Sequence, residues 1–197
     1  MSAITLLEKI AAYVRNLFAI HHQPYLYYHN LSHTENVAKH AAILSAYYQL
    51  NERDHFILMA AAWFHDTGHL FGDAEKHEER STELMLRFLD TSVYKKEIAT
   101  CILATKMPVH PENLLEMMLC DADTWHLGTD EFIQEDERVW QELEARRGQH
   151  FEHKTALSLK FMQQHQFYTG YCIEHLSEGK RRNEASLTGN SEFPQNS

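Results

Sequence analysis

A chain of 197 residues can bury the core of one domain, and 44% hydrophobic residues is ordinary for a globular protein. Its 18 Lys and Arg stand against 28 Asp and Glu, a formal net charge of −10. Such a surface repels nucleic-acid phosphates and argues against a nucleic-acid polymer as partner, while a local basic pocket for one small phosphate stays allowed.

Leu7, Ile10, Val14 and Phe18 recur at helical spacing and predict an amphipathic helix over 4–19. His21 to Tyr28 is an aromatic, His-rich connection broken by Pro24. In Y-H-N-L-S-H-T-E, Ser32 followed by Glu35 reads as a capping box, so a helix begins at His33. Val37, Ala41, Leu44 and Tyr48 continue it, and the His33 side chain points past the helix end. Asn51 and Asp54 punctuate before a helix over 55–66, for which Gly68 offers a stop. Leu70–Lys76 is a loop, and a helix over 77–89 pairs Leu84 with Phe88 and Met85 with Leu89. Ser92 can cap another helix, carrying Ile98 and Ile102 and closed by Pro108 and Pro111. Residues 112–127 place Leu115, Met118, Leu119, Ala122 and Trp125 on one face, with Gly128 as C-cap. Thr129 can cap a helix to about Arg147, with Phe132, Val139 and Leu143 inward, and helices over 152–166 and 168–182 follow. Ser186–Ser197 reads as a disordered tail. The expectation is one all-α domain over 1–185, a helical bundle without strands or repeats.

Cys101, Cys120 and Cys172 are odd in number and widely spaced, which argues against a disulfide framework and for a reducing compartment. The opening M-S-A-I-T-L-L-E-K-I lacks a basic leader, and no run of about 20 apolar residues exists. A cytoplasmic protein with no membrane partner is expected.

The apolar run Ala60–Phe64 ends abruptly in His65-Asp66. An imidazole and a carboxylate directly after a buried run are costly unless a metal ion or a buried ion pair compensates them. Three segments carry such groups at helix ends: His33, His65-Asp66, and Asp121/Asp123 in L-C-D-A-D-T-W-H-L-G. Imidazoles with carboxylates make a mixed N/O set that suits a divalent transition metal ion (Mn, Fe, Co, Ni or Zn), with Mg a further candidate. Asp121 and Asp123 differ by about 200° in direction on a helix, so one of them faces such an ion. The apolar stripe of Leu115, Ala122 and Trp125 does not choose between them.

This ordered set, His, then His-Asp, then Asp, resembles the signature of the HD-domain metal-dependent phosphohydrolase superfamily. His33 in Y-H-N-L-S-H, His65-Asp66 in W-F-H-D-T-G-H and Asp123 in D-A-D-T-W match it, and H-E-E-R-S at His77–Ser81 is similar to small stand-alone bacterial members. The likeness covers about Tyr28–Gly128 (28–128). It implies a helical fold with a metal at its centre, held by His33, His65, Asp66 and Asp123. It favours Asp123 because the family's last ligand usually follows a small residue such as Ala122, and leaves Asp121 as an orienting neighbour or partner of a basic group. The implied activity is hydrolysis of a small-molecule phosphate ester, a nucleotide or related compound, by a metal-activated water. Asp66 belongs to that chemistry, and the likeness suggests that His69, His77 and Glu78 contact substrate or carry protons. His77 and Glu78 also read as an ordinary helix start. Many two-metal members carry extra His on the helix matching Ile98–Met107, and none stands there in this chain, which speaks against a second strong metal site. Arg80 and Lys106 read as phosphate holders or as surface charge, and His29 and Asn30 as supports of His33 or as plain connection. Trp63, Trp125 and Trp140 read as core. Two alternatives stay open: an HD-type di-iron oxygenase drawing on His69 and His77, and a non-catalytic nucleotide-sensing module.

Overall fold

The computed structural model describes residues 3–89 and 94–190. Within them the chain is all-helical, with no strand: α1 (Ala3–Ile20), α2 (Leu31–Tyr47), α3 (Glu52–Phe64), a 3₁₀ turn (Thr67–Phe71), α4 (His77–Phe88), α5 (Lys95–Ala104), α6 (Leu114–Asp123), a second 3₁₀ turn (Trp125–Gly128), α7 (Phe132–Arg147), α8 (Lys154–Gln164) and α9 (Gly170–Asn190). No helix among the described residues is long and apolar enough to cross a membrane. Cys101, Cys120 and Cys172 are free and buried.

α3 is the centre of the bundle. Its sequence is apolar on every face after the first turn, and a helix of that kind must be surrounded. Phe56, Ile57, Leu58, Ala60, Ala61, Ala62, Trp63 and Phe64 are all buried, and α1, α2, α4, α5 and α6 pack around them. The three consecutive alanines keep the helix thin where its neighbours approach. Asn51 caps its start, accepting from Asp54 N, and the chain leaves its other end in the middle of the protein. That exit puts His65 and Asp66 where water has little access.

Several boundaries differ from the sequence reading. α3 starts at Glu52 rather than 55. The helix expected over 112–127 is α6, which ends at Asp123 and leaves Gly128 in the second 3₁₀ turn rather than at a C-cap. α2 starts at Leu31 because Asn30, in extended conformation, accepts from both Ser32 N and His33 N. Asn30 thereby takes the capping role expected of Ser32, and both residue types are strong caps. Gly68 does not terminate α3 in a left-handed conformation. Instead it lies in the first 3₁₀ turn, where a Cβ would sit 2.0 Å from His77 O. The glycine lets the start of α4 close against the His65-Asp66 segment.

The C-terminal helix is longer than expected. α9 runs through Ser186–Asn190, part of the stretch read as tail, because Leu187 is still buried against the core. Residues 191–197 of that stretch, and Ser92, lie outside the described residues. α9 crosses the second 3₁₀ turn backbone to backbone: a Cβ on Gly179 would meet Gly128 O at 1.9 Å. Asn183 Nδ2 fastens the crossing by donating to Leu127 O and Thr129 O. Gly179→Ala is therefore expected to destabilise the protein by about 1–3 kcal/mol, the usual cost of overpacking. Thermal melts check this, and an unchanged Tm would mean that the helices do not cross there.

Candidate metal centre

Three helix ends meet below the exit of α3. α2 supplies His33 from its first turn, α3 delivers His65 and Asp66 just past its last turn, and α6 ends on Asp123. One ligand atom from each of these four residues lies within 4.8 Å of all the others. His33 Nε2 is 3.0 Å from Asp123 Oδ1 and 3.3 Å from Asp66 Oδ2. His65 Nε2 is 3.3 Å from Asp66 Oδ2, 3.6 Å from Asp123 Oδ1 and 3.4 Å from His33 Nε2. His65 is fully buried and Asp66 nearly so. Asp66 Oδ2 is buried with no hydrogen-bond donor aimed at it, although two imidazole nitrogens are close. His65 Nδ1 donates to Ala62 O at 2.8 Å, which directs the lone pair of the neutral ring at Nε2 into the cluster.

This donor set fits a metal ion. Two carboxylates and two imidazoles converge, and one buried carboxylate oxygen lacks a donor. The C-terminal ends of α3 and α6, where carbonyl dipoles favour positive charge, both face it. Without an ion the charges must balance among themselves. Burial opposes charge on His33, but the neighbouring carboxylates of Asp123 and Asp66 outweigh it and push its pKa up to about 9. His65 is likewise raised against its burial, chiefly by Asp66. Burial works against ionised Asp66 and Asp123 as well, yet the imidazoles hold both well below the usual carboxylate range.

Asp121, the near neighbour of Asp123, points the other way. It is fully buried and accepts from Tyr168 N, Thr169 N and Thr169 Oγ1. It ties the start of α9 to α6, so its partners are amides and a hydroxyl rather than the basic group offered as one alternative for it.

A second tier surrounds Asp66. His29, Asp66 and His69 also present ligand-type atoms within 4.8 Å of one another, and the rings of His29, His69 and His77 stack at 4.1 and 3.8 Å. The protons sort these residues. Arg146 Nη2 donates to His69 Nδ1 at 2.9 Å. Burial, with the neighbouring His29, holds His69 neutral, its pKa well below the ordinary value. Arginine has no acceptor, so the single ring proton of His69 sits on Nε2, and that nitrogen is a donor rather than a ligand. His29 Nδ1 donates to Glu142 Oε1 at 2.8 Å, and His77 Nδ1 donates to Ala74 O at 2.8 Å. His77 Nε2 faces Asp66 Oδ1 and Glu78 Oε1, each at 3.5 Å.

Glu142 and Arg146 on α7 were not singled out in the sequence. Glu142 is buried and accepts from Tyr28 N, His29 N and His29 Nδ1, besides pairing with Arg146 Nε at 2.9 Å. Burial would raise its pKa, but His29 and these amides bring it down to about 2. In the sequence the pair is one i,i+4 match on a heavily charged helix, the pattern of any solvated face. Arg80 and Lys106 are engaged elsewhere. Arg80 donates to Gly68 O, Glu75 O and Asp73 O, and Lys106 pairs with Glu79. His29 supports its own ring on Glu142, and Asn30 caps α2, so both do more than connect.

The cluster forms one wall of a cavity of about 1120 Å³. Asp66, Asp123, His29, His77 and Glu78 reach it on one side. The rest is built by the α5–α6 loop, α7 and α8, with Trp140 on the wall rather than in the core expected for it. His126 and His165, which carry no spacing signal, also face it. Burial, aided by His33, lowers His126 to about 3, and burial lowers His165 to about 4, so both are neutral acceptors or donors there. The Tyr28 hydroxyl donates to His126 Nδ1 at 3.1 Å.

Comparison of the chain with protein-family models, with curated proteins and with solved structures finds no match. What stands is an all-α bundle with a buried His/Asp cluster able to chelate a metal.

The two aspartates of α6 are separable by experiment. Asp123→Asn is expected to lose metal binding with the fold intact. Asp121→Asn is expected to keep metal binding and lose about 1–3 kcal/mol of stability, because a buried hydrogen-bond acceptor of three donors is disturbed. Elemental analysis and thermal melts of both variants check this, and loss of metal in the Asp121 variant alone would reverse the assignment.

Proposed function

We infer that the protein is an HD-type metal-dependent phosphohydrolase acting on a small-molecule phosphate ester. The observation that carries the reading is the convergence of His33, His65, Asp66 and Asp123, from three separate segments, beside a cavity large enough for a small organic ester. The order of these residues along the chain is that of the HD signature, which supports the same reading.

His33, His65, Asp66 and Asp123 would hold one divalent ion. When bound, the ion supplies Lewis acidity toward a phosphoryl oxygen and a lowered pKa for a water. The chain supplies the rest. Nε2 of His77 faces the cavity, backed by Glu78, and is placed to pass a proton to the departing oxygen. The Nε2–H of His69 lies 3.9 Å from Asp66 Oδ1, beyond hydrogen-bond reach, and has no partner among the described residues, so it is free to donate to a ligand beside Asp66. Glu142 and Arg146 hold His29 and His69 in these tautomers, as supporting partners do around many ligand residues.

A second reading, a two-iron oxygenase, is favoured by one observation: His29, Asp66 and His69 form a second group of ligand-type atoms within 4.8 Å of one another, and His29 donates from Nδ1 to Glu142, which leaves Nε2 as its lone-pair nitrogen. The His69 tautomer opposes it by removing one ligand from that group. The test is metal analysis of the purified protein, followed by phosphate release from a panel of esters with Mn²⁺, Co²⁺, Ni²⁺, Zn²⁺ and Mg²⁺. One ion per chain with phosphate release is expected, and Asp66→Ala should lower the rate by at least about 100-fold with helix content unchanged. Two irons per chain with O₂ uptake would select the oxygenase, and full activity in a metal-loaded Asp66→Ala protein would remove the hydrolase assignment.

A further inference from the structure

The cavity beside the cluster has a composition that restricts what can enter. Among the described residues no lysine or arginine lines it. Its carboxylates are Asp66, Glu78, Glu112, Asp123 and Asp136, and its basic groups are imidazoles alone: His29, His77, His110, His126 and His165. A divalent ion would be offset by Asp66 and Asp123 alone, leaving Glu78, Glu112 and Asp136 without metal. The bases once available to a phosphate, Arg80 and Lys106, are held by carbonyls and by Glu79, outside this space. A triphosphate needs several fixed cations or extra metal ions to be held in a water-poor site. This cavity has none to spare.

Another stretch of the wall is apolar, with Val139, Trp140 and Leu143 from α7 and Leu157 and Phe161 from α8. One polar spot lies within that wall. Asp136 accepts from Ser158 Oγ at both oxygens, Ser158 Oγ accepts from Trp140 Nε1, and no cation pairs with Asp136 among the described residues. A carboxylate left in an apolar wall repels a further anion and favours an amine or hydroxyl donor.

We propose that the cavity takes a phosphomonoester with one phosphoryl group and an apolar, non-anionic body, the phosphoryl at the His/Asp cluster and the body against α7 and α8. This rests on the phosphohydrolase reading and narrows its substrate away from nucleoside polyphosphates. The single phosphoryl is the one anion that the ion and the neighbouring imidazoles have to hold. The body removes apolar surface from water on both partners, worth about 25 cal/mol per Å². A hydrogen-bond donor on the body would reach Asp136.

The Mn²⁺-loaded protein is offered 1-naphthyl phosphate, AMP, ATP and inorganic phosphate, with affinity measured by calorimetry and turnover by phosphate release. Expected is at least tenfold tighter binding of 1-naphthyl phosphate than of inorganic phosphate, with ATP no tighter than inorganic phosphate. ATP binding more tightly than 1-naphthyl phosphate, or a naphthyl group that adds no affinity, would overturn the proposal. Turnover separates the two levels. Tight 1-naphthyl phosphate binding with no ester cleaved sinks the hydrolase reading and leaves the cavity assignment. Preferred cleavage of ATP sinks the cavity assignment and leaves the hydrolase. Leu157→Lys places a cation on the wall at a residue 43% exposed, where folding is not at stake. It should raise ATP affinity and lower 1-naphthyl phosphate affinity, each several-fold, and no change in either would contradict the placement of the body.

Discussion

Two carboxylates, Asp66 and Asp123, are brought within 4.8 Å of each other inside a protein. Like charges in a water-poor site repel, and each loses hydration, so something positive must stand between them. Much of the architecture answers that requirement. α3 is apolar on all sides, so its end falls at the centre of the bundle rather than at the surface. α6 ends on Asp123 beside it, and both helices turn their carbonyl ends toward the cluster. Gly68 lets α4 close over the segment, and Asn30 fixes the first turn of α2 so that His33 arrives opposite. With no ion, protons on His33 and His65 would meet the need, and the two carboxylates accordingly raise the pKa of both imidazoles. A divalent cation meets it with the same four side chains and releases those protons.

Around this centre the protein fixes where hydrogen atoms lie. Glu142 accepts from His29 Nδ1 and from two backbone amides, and Arg146 forces the proton of His69 onto Nε2. Ala62 O and Ala74 O do the same for His65 and His77. Four imidazoles of one chemical type are thus given different tasks by their second nitrogen. α7 links these tasks to the cavity, since Glu142 and Arg146 lie in the same turns as Val139, Trp140 and Leu143, which line it.

Much of the fold was legible because its signals are local. The stripe of α1, the apolar run of α3 and the Asn51 cap before it are written in adjacent residues, and the all-helical class followed from such signals. The convergence of His33, His65, Asp66 and Asp123 was legible because each sits at a recognisable helix end. Other features were hidden because they depend on partners far along the chain. Glu142 meets His29 across 113 positions, and nothing near it in sequence marks it as buried. Gly68 looks like a helix stop until His77 O is seen 2.0 Å from where its Cβ would stand. Leu187 in a polar stretch looked like tail until α9 was seen to keep it against the core. Val139, Trp140 and Leu143 of the cavity wall read as ordinary core for the same reason: a residue facing a space and one facing a neighbour have the same periodicity.

The most direct test of the central claim is anomalous scattering from crystals grown with Mn²⁺ or Zn²⁺. The account predicts one strong peak per chain within about 2.0–2.3 Å of nitrogen and oxygen atoms of His33, His65, Asp66 and Asp123. No peak at saturating metal, or a peak that leaves Asp66 and Asp123 without contact, would contradict it.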